Sequence, residues 1–497
     1  MEPQKQQPLE PTKAVFPSYW PWLICGMLLA ATMLNYMDRL LLNQAAKQIR
    51  EDLNLASFYW TAGPAHDRSD LNYSFLESAF GISYALGALF FGWAADRLSV
   101  VWLYPACVLA WSLAGVGSGL AQDYPQLLAS RCMLGFFEAA NWPCGLVTTR
   151  ALLSREKRSL GNGILHGGGA LGAMVTPLLL LAFSLPGGWW DLIQPGAFQN
   201  LLGNKALVPD WRLAFKLVGI FGAIWAVAWL VLALPQKSAW QIKEWEGPTP
   251  AEDGSLSFLS SFLRDRRFWI LLVTVCSINT TWHILRVWLP LYLQEAQEYT
   301  FAQLSLFSMV FYLMADIGAM GAGALTLLLA KQRGVDTARL TVFSLGAVAC
   351  LMVWGARFLD DGWALRIALW LSGMASMSLF PLYFAQTQEV SPSHTGKITG
   401  LMGFFCWGFL FFSQSAAGMW ISHRKETLIQ QHSVETSSEA LPIRALAIRK
   451  EAALKAYSET LGFACLPPLF ALMGLALWPG HRQENHLAGA GKEMGNL

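Results

Sequence analysis

The stretch WRLAFKLVGIFGAIWAVAWLVLALP, residues 211–235, is apolar almost without interruption. It is followed by QKSAWQIKEWEGPTPAEDGSLSFLSSFLRDRR, residues 236–267, which carries charges of both signs and holds Pro248, Pro250 and Gly254. A helix that crosses a bilayer needs about 20 apolar residues, so the first stretch reads as one crossing and the second as a linker. Similar apolar segments precede it at 17–47, 73–95, 100–121, 125–150 and 159–185, and follow it at 268–293, 302–331, 338–357, 363–388, 396–420 and 459–479. In lipid every backbone polar group must be satisfied within a helix or a closed barrel. These segments are too long and too continuously apolar for barrel strands. The predicted fold is therefore an all-α membrane protein of twelve transmembrane helices. It has two six-helix halves, 1–235 and 268–497, joined by the linker 236–267. Many secondary transporters share this plan, with the binding site at the midplane between the halves.

The composition agrees. Of 497 residues, 54% are apolar and 14% are charged, against about 25% charged in an average soluble protein. The net charge of +2 gives no basic field for a polyanion. A soluble enzyme, a disordered chain and a nucleic-acid binder are disfavoured. The eight cysteines lie inside apolar stretches without a CxxC pair, so neither a disulfide framework nor a metal site is expected. The first apolar segment reads as the first crossing rather than a signal peptide, because eleven more follow.

Lys and Arg set the orientation. Arg150, Arg155, Lys157 and Arg158 follow the fourth segment, Lys237, Lys243, Arg264, Arg266 and Arg267 lie in the linker, and Lys331, Arg333 and Arg339 follow the eighth. Even-numbered connections and both termini are thus expected in the cytoplasm, with the protein in a cell (inner or plasma) membrane. Three outward stretches, 56–72, 186–210 and 421–458, are long; the last is basic, and its residues 443–458 could form a surface amphipathic helix.

Charged residues deep in lipid are costly and ask for a reason. Asp38 and Arg39 in segment one are neighbours, so they point about 100° apart; Arg39 can line a cavity while Asp38 faces another helix. The five-donor fork of Arg39 suits a carboxylate ligand. In segment four, Arg131 and Glu138 share a face two turns apart, about 10.5 Å. A carboxyl set between burial and nearby arginine can load and release a proton near neutral pH. Segment seven holds His283 and Arg286, segment eight Asp316 as a possible charge partner for Arg286, and segment five His166; Tyr36 and Tyr84 could reach a polar ligand. Blander readings stay open. Asp38, Glu138 and Asp316 could be permanent ion pairs that lock helices, Arg286 could snorkel to the interface, the histidines could simply be hydrogen bonded, and the tyrosines could pack the core. Gly167-Gly168-Gly169 is not a phosphate loop, since no Gly-Lys-Ser/Thr follows. No nucleophile elbow or zinc pair supports an enzyme.

Asn35-Tyr36-Met37-Asp38-Arg39 resembles the segment-one signature of the anion:cation symporter family of the major facilitator superfamily. Gly135-Phe136-Phe137-Glu138-Ala139-Ala140-Asn141-Trp142-Pro143 resembles its segment-four signature, with Arg131 at the matching earlier position. Gly92-Trp93-Ala94-Ala95-Asp96-Arg97 resembles the superfamily's loop motif, and Gly92, Asp96 and Arg97 would then act in gating. Trp288-Leu289-Pro290-Leu291-Tyr292-Leu293 and Ala315-Asp316-Ile317-Gly318 are similar to segments of bacterial hexuronate and other sugar-acid transporters. The resemblance implies the major facilitator fold and proton-coupled import of a small organic anion, most specifically a hexuronate or related sugar acid. It places the substrate carboxylate on Arg39, proton coupling on Asp38 and Glu138 with Arg131 influencing the glutamate, and substrate contacts on Tyr36 and Tyr84. Arg286 and His166 join as candidate binding residues. His166 stands where the family often has asparagine, and Trp407 and Gln414 where it often has asparagine and then proline.

The expected partners are a small organic anion, protons and the bilayer, with no cofactor and no nucleic acid, and the protein is expected to act as a monomer. A non-transporting sensor of the same ligands, or a transporter of another anion class, are the alternatives. Export of apolar drugs would leave the arginines unexplained.

Overall fold

The computed structural model describes residues 19–55, 68–95, 97–153, 158–185, 207–236, 264–383, 395–434 and 441–476. Among them the regular elements are helical throughout. They are α1 (Trp20–Gln44), α2 (Ala46–Asp52), α3 (Ser69–Ala95), α4 (Val100–Leu120), α5 (Tyr124–Glu138), α6 (Asn141–Leu152), α7 (Arg158–Phe183) and α8 (Trp211–Ala233). Then follow α9 (Arg266–Leu291), α10 (Phe301–Arg333), α11 (Val335–Ala349), α12 (Met352–Ala356), α13 (Trp363–Ser378), α14 (Thr395–Val434), α15 (Leu441–Phe463) and α16 (Pro467–Ala476). A π-helical turn, Tyr292–Ala296, prolongs α9.

Among the described residues, eleven helical stretches are long and apolar enough to span a bilayer, α11–α12 forming one of them and α15–α16 another. The twelfth, expected at 125–150, is broken in the middle. α5 ends at Glu138 and α6 begins at Asn141. Pro143 has no amide hydrogen, and its ring crowds the carbonyl four residues earlier, that of Ala139. The end of α5 closes instead with a tighter bond from the Ala140 N–H to the Phe137 carbonyl at 3.2 Å. The break sets Glu138 at a helix end inside the protein.

Local signals start several helices. The Asp123 carboxylate accepts from the Gln126 N–H at 2.9 Å ahead of α5, and Asp210 caps α8 in the same way. Thr300 and Gln303 form a reciprocal capping box for α10. Gly334, at φ 79°, turns the chain from α10 into α11 in a conformation that other residues resist. Large apolar side chains such as Phe90, Val227, Val231, Met320 and Leu327 face outward, as expected of a surface that meets lipid rather than water.

Within the first half α1 packs on α7 and α8, α4 on α8 and α5, and α3 on α5; within the second, α10 packs on α13, α9 on α16 and α14 on α15. Gly168 and Gly172 let α7 lie directly against α1, since a methyl group at either would collide with the carbonyl of Leu29 or Met33. Among the described residues the halves meet most extensively through α3 with α14 and α7 with α10, and α9 also touches α1 and α2. α3 and α14 run antiparallel: the Ser78 hydroxyl donates to the Phe411 carbonyl at 3.1 Å and meets the Ser415 hydroxyl at 2.9 Å.

One expectation needs correction. The basic stretch 421–458 is not a loop: α14 continues to Val434, and α15 occupies most of the remainder. α15, with the exposed charges Arg449, Lys450 and Glu451 in its early turns, leads on through α16, and the two form the last candidate crossing. The charges of 421–458 read as polar loop, but Lys425 reaches inside the protein to the buried Asp70 at 2.7 Å, and Arg424 pairs with Glu459 at 3.0 Å. α15 packs on α14 and on the Tyr292–Ala296 turn. Linker residues 237–263, loop residues 56–67 and 186–206, and Asp96 lie outside the described residues.

Candidate functional site

Six charged side chains from four helices gather where the halves meet. Arg39, five residues before the end of α1, is 6% exposed and donates through Nε to Oε2 of Glu138 at 2.7 Å. Its guanidinium is caged by rings: Tyr84 at 4.6 Å, Tyr36 and Phe80 at 5.4 Å, and Trp407 of α14 at 5.9 Å. Each ring face offers negative electrostatic potential to the cation. Nη2 of Arg39 has no hydrogen-bond partner among the described residues, so part of the fork is unused. Asn35, one turn earlier on the same face, donates to the Glu138 carbonyl at 3.4 Å.

Asp38 points elsewhere, as a helical neighbour must. Its carboxylate lies against Gly115 of α4, Oδ1 being 3.1 Å from where a Cβ would stand. It is buried, and neither oxygen has a hydrogen-bond partner among the described residues.

Arg131 of α5 is fully buried and lies over the Phe80 ring at 4.7 Å. Its nearest carboxylate is that of Glu77 on α3, at 3.7 Å. Glu138 is held by Arg39, while Arg131 leans toward Glu77. Arg286 of α9 also pairs with Glu77, at 3.1 Å, rather than with Asp316. Asp316 is half-buried on α10, and its Oδ2 lacks a partner among the described residues. Asn43 donates to Glu77 and to the Tyr73 hydroxyl, each at 2.9 Å. Arg286 Nη2 lies 3.2 Å from His283 Nδ1. A guanidinium only donates, so that ring nitrogen accepts. The His283 ring packs edge-on against Trp407 at 4.9 Å, which closes the set back onto the Arg39 cage.

The structure therefore brings together Tyr36, Asp38, Arg39, Tyr84, Arg131, Glu138 and Arg286. His166 stands apart: it is exposed on α7 and stacks on Trp142 at 4.4 Å. Gly92 lies near the end of α3 with open space beside it, and Arg97 is exposed, lying over Trp93 at 4.7 Å. Sequence reasoning missed Glu77, Asn43 and the part played by Trp407. Glu77 lies inside the segment expected at 73–95 and, seven residues after Asp70 and three before Phe80, on one face of its helix.

A second charged cluster closes one end of the bundle. Arg50 of α2 meets Asp70 of α3 at 3.1 Å and Glu295 at 2.6 Å. Lys425 of α14 meets the same two carboxylates at 2.7 and 3.0 Å. The Tyr457 hydroxyl of α15 lies 2.8 Å from both carboxylates, and Arg50 also donates to Ser69. Arg50 and Asp70 belong to the first half, Glu295, Lys425 and Tyr457 to the second.

A family model described as Major Facilitator Superfamily matches residues 28–413. The hexuronate transporter of Escherichia coli (strain K12) is 22% identical over 398 residues, covering 78% of this chain and 84% of that protein. The galacturonate transporter of Dickeya chrysanthemi is 23% identical over 338 residues, covering 66% and 88%. Among solved structures, a bacterial homolog of the human lysosomal transporter Spinster, in an inward-facing and unoccupied conformation, aligns with a TM-score of 0.72 at 17% identity. That alignment covers 93% of this chain and 98% of that one. The D-xylose-proton symporter aligns with a TM-score of 0.61 at 12% identity, covering 90% and 97%. These relatives and folds are those of membrane transporters, not enzymes.

Proposed function

The chain belongs to the Major Facilitator Superfamily, and from that premise we propose that it is a secondary transporter carrying a sugar acid of the hexuronate kind, together with protons, by alternating access. The curated relatives that transport hexuronate and galacturonate support the substrate class. The observation that carries the mechanism is the Arg39–Glu138 pair at 2.7 Å inside an aromatic cage at the junction of the halves. A buried ion pair survives only while both members are charged. A proton on Glu138 dissolves it and leaves the Arg39 fork for a carboxylate from solution, which it binds bidentately. Tyr36, Tyr84 and Trp407 then border the sugar ring. Asp38, buried with no donor among the described residues, shares the proton-carrying role: an unsolvated carboxylate is costly, and a proton removes the charge.

In the expected orientation, with both termini in the cytoplasm of a bacterial-type cell membrane, the Arg50–Asp70–Glu295–Lys425 cluster lies on the outer side and holds that side shut.

The test is transport by the purified protein in liposomes. Radiolabelled D-galacturonate is expected to accumulate when the outside is acid, and to exchange across the membrane without a gradient. Failure to move galacturonate, glucuronate and galactonate under any gradient would overturn the reading.

A further inference from the structure

Glu77 stands outside the mechanism above, yet it is the most heavily engaged carboxylate at the midplane. It is 5% exposed and meets Arg286 of the other half at 3.1 Å, Arg131 at 3.7 Å and the Asn43 amide at 2.9 Å. Arg286 is not saturated by these contacts: its Nε has no hydrogen-bond partner among the described residues. A cavity borders Arg286, walled by Gln44, Leu289, Pro290, Phe311 and Tyr312. That space has room for about one water molecule, so in this state the guanidinium is held by an anion that the chain itself supplies.

We infer that Glu77 is a resident counter-anion that occupies Arg286 in the empty carrier, denies it to any second negative group on the ligand, and so restricts the site to singly charged acids. The inference rests on the reading of this site as that of a sugar-acid carrier. The charge count gives the reason. Asp38, Glu77 and Glu138 balance Arg39, Arg131 and Arg286 when all six are ionised. An entering monoanion must displace one internal carboxylate from its arginine, and the pair at Arg39 serves the substrate carboxylate. A second negative group on the ligand would have to displace Glu77 as well, leaving that carboxylate buried and short of partners, which is costly. Glu77 thus selects by the charge of the ligand, not by its shape.

The experiment compares D-galacturonate, a monoanion, with galactarate, the corresponding dianion, by titration calorimetry at pH 7 on the wild-type protein and Glu77→Gln. The glutamine keeps the length and an acceptor for Arg286 but removes the charge. The wild type is expected to favour galacturonate. In E77Q the affinity for galacturonate should change little and that for galactarate should rise by about tenfold or more. If Glu77 only ties the helices together, E77Q loses thermal stability while the ratio of the two affinities stays at its wild-type value, and the inference falls. Arg286→Gln on the E77Q background is expected to cancel the gain, as a coupled pair requires; persistence of the gain would also overturn the inference. Should E77Q not fold, Arg286→Gln alone reads the pair from the other side. A fall in galactarate affinity larger than any fall in galacturonate affinity supports the inference, and an equal change in the two overturns it. A wild type that binds neither acid would instead overturn the proposed function, so the two failures are told apart.

Discussion

At the scale of single residues, Arg39 and Glu138 carry the sharpest expectations. Arg39→Ala removes the fork and is expected to abolish sugar-acid binding. Arg39→Lys keeps the charge but offers a point instead of a plane, so affinity should fall by about 10- to 100-fold rather than vanish. Calorimetric titration with galacturonate reads both. Glu138→Gln mimics the protonated carboxyl permanently, so Arg39 remains available. Exchange of labelled for unlabelled galacturonate across liposomes should persist, while accumulation driven by a pH gradient should stop. Gradient-driven accumulation by this variant would remove Glu138 from the coupling. These two residues were legible because a charge inside an apolar run is conspicuous whatever the fold. Their pairing was not, since Arg39 and Glu138 are 99 positions apart and the break at Pro143 decides where Glu138 points. Glu77 escaped notice for a different reason. It follows Asn72, Tyr73 and Ser74, so it reads as the polar margin of a crossing, and only the packing of α9 and α5 around it shows how deep it lies.

At the scale of elements, the helix pair α3–α14 is the seam that must open for the outer side to admit substrate. Its closed end is held by four ionised groups of zero net charge and the Tyr457 hydroxyl. Burial works against the charge of Arg50, but Asp70, Glu295 and Tyr457 outweigh it and hold the guanidinium well above its ordinary range. Arg50 therefore stays charged at any physiological pH, and its grip does not depend on the proton gradient. Lys425→Met removes the cation shared by Asp70 and Glu295 and leaves both carboxylates under-compensated, which should favour the state in which this end is open. A cysteine at Ser78, on the α3–α14 seam, should then react several-fold faster with a membrane-impermeant maleimide than in the otherwise unchanged protein. Equal rates would mean that the cluster does not hold the seam. The sequence showed the basic residues of 421–458 but not this arrangement, because hydropathy cannot distinguish a charge in water from one neutralised inside a helix bundle.

At the scale of the whole molecule, the two-half plan was readable from the rhythm of apolar segments and the polar gap after Pro235, because lipid permits so few backbone solutions. The balance of charge at the midplane was not, since it needs all six residues in one place. That balance has a consequence for energetics. Rocking the halves carries the central groups between two aqueous faces through a region where an unpaired charge is expensive. The empty carrier, with three carboxylates and three guanidinium groups, returns as a neutral unit. The carrier loaded with one monoanion is neutral only if it also holds one proton. Uptake of galacturonate should therefore follow the pH gradient and ignore the electrical one. In liposomes with a fixed pH gradient, imposing about 100 mV by a potassium gradient and valinomycin should leave the accumulation ratio unchanged. Each net charge carried inward would alter that ratio by about fiftyfold, since 100 mV acts on one charge with about 2.3 kcal/mol. A ratio that grows with potential would mean that a second proton accompanies the anion, and that either Asp38 or Glu77 is neutral in the loaded state.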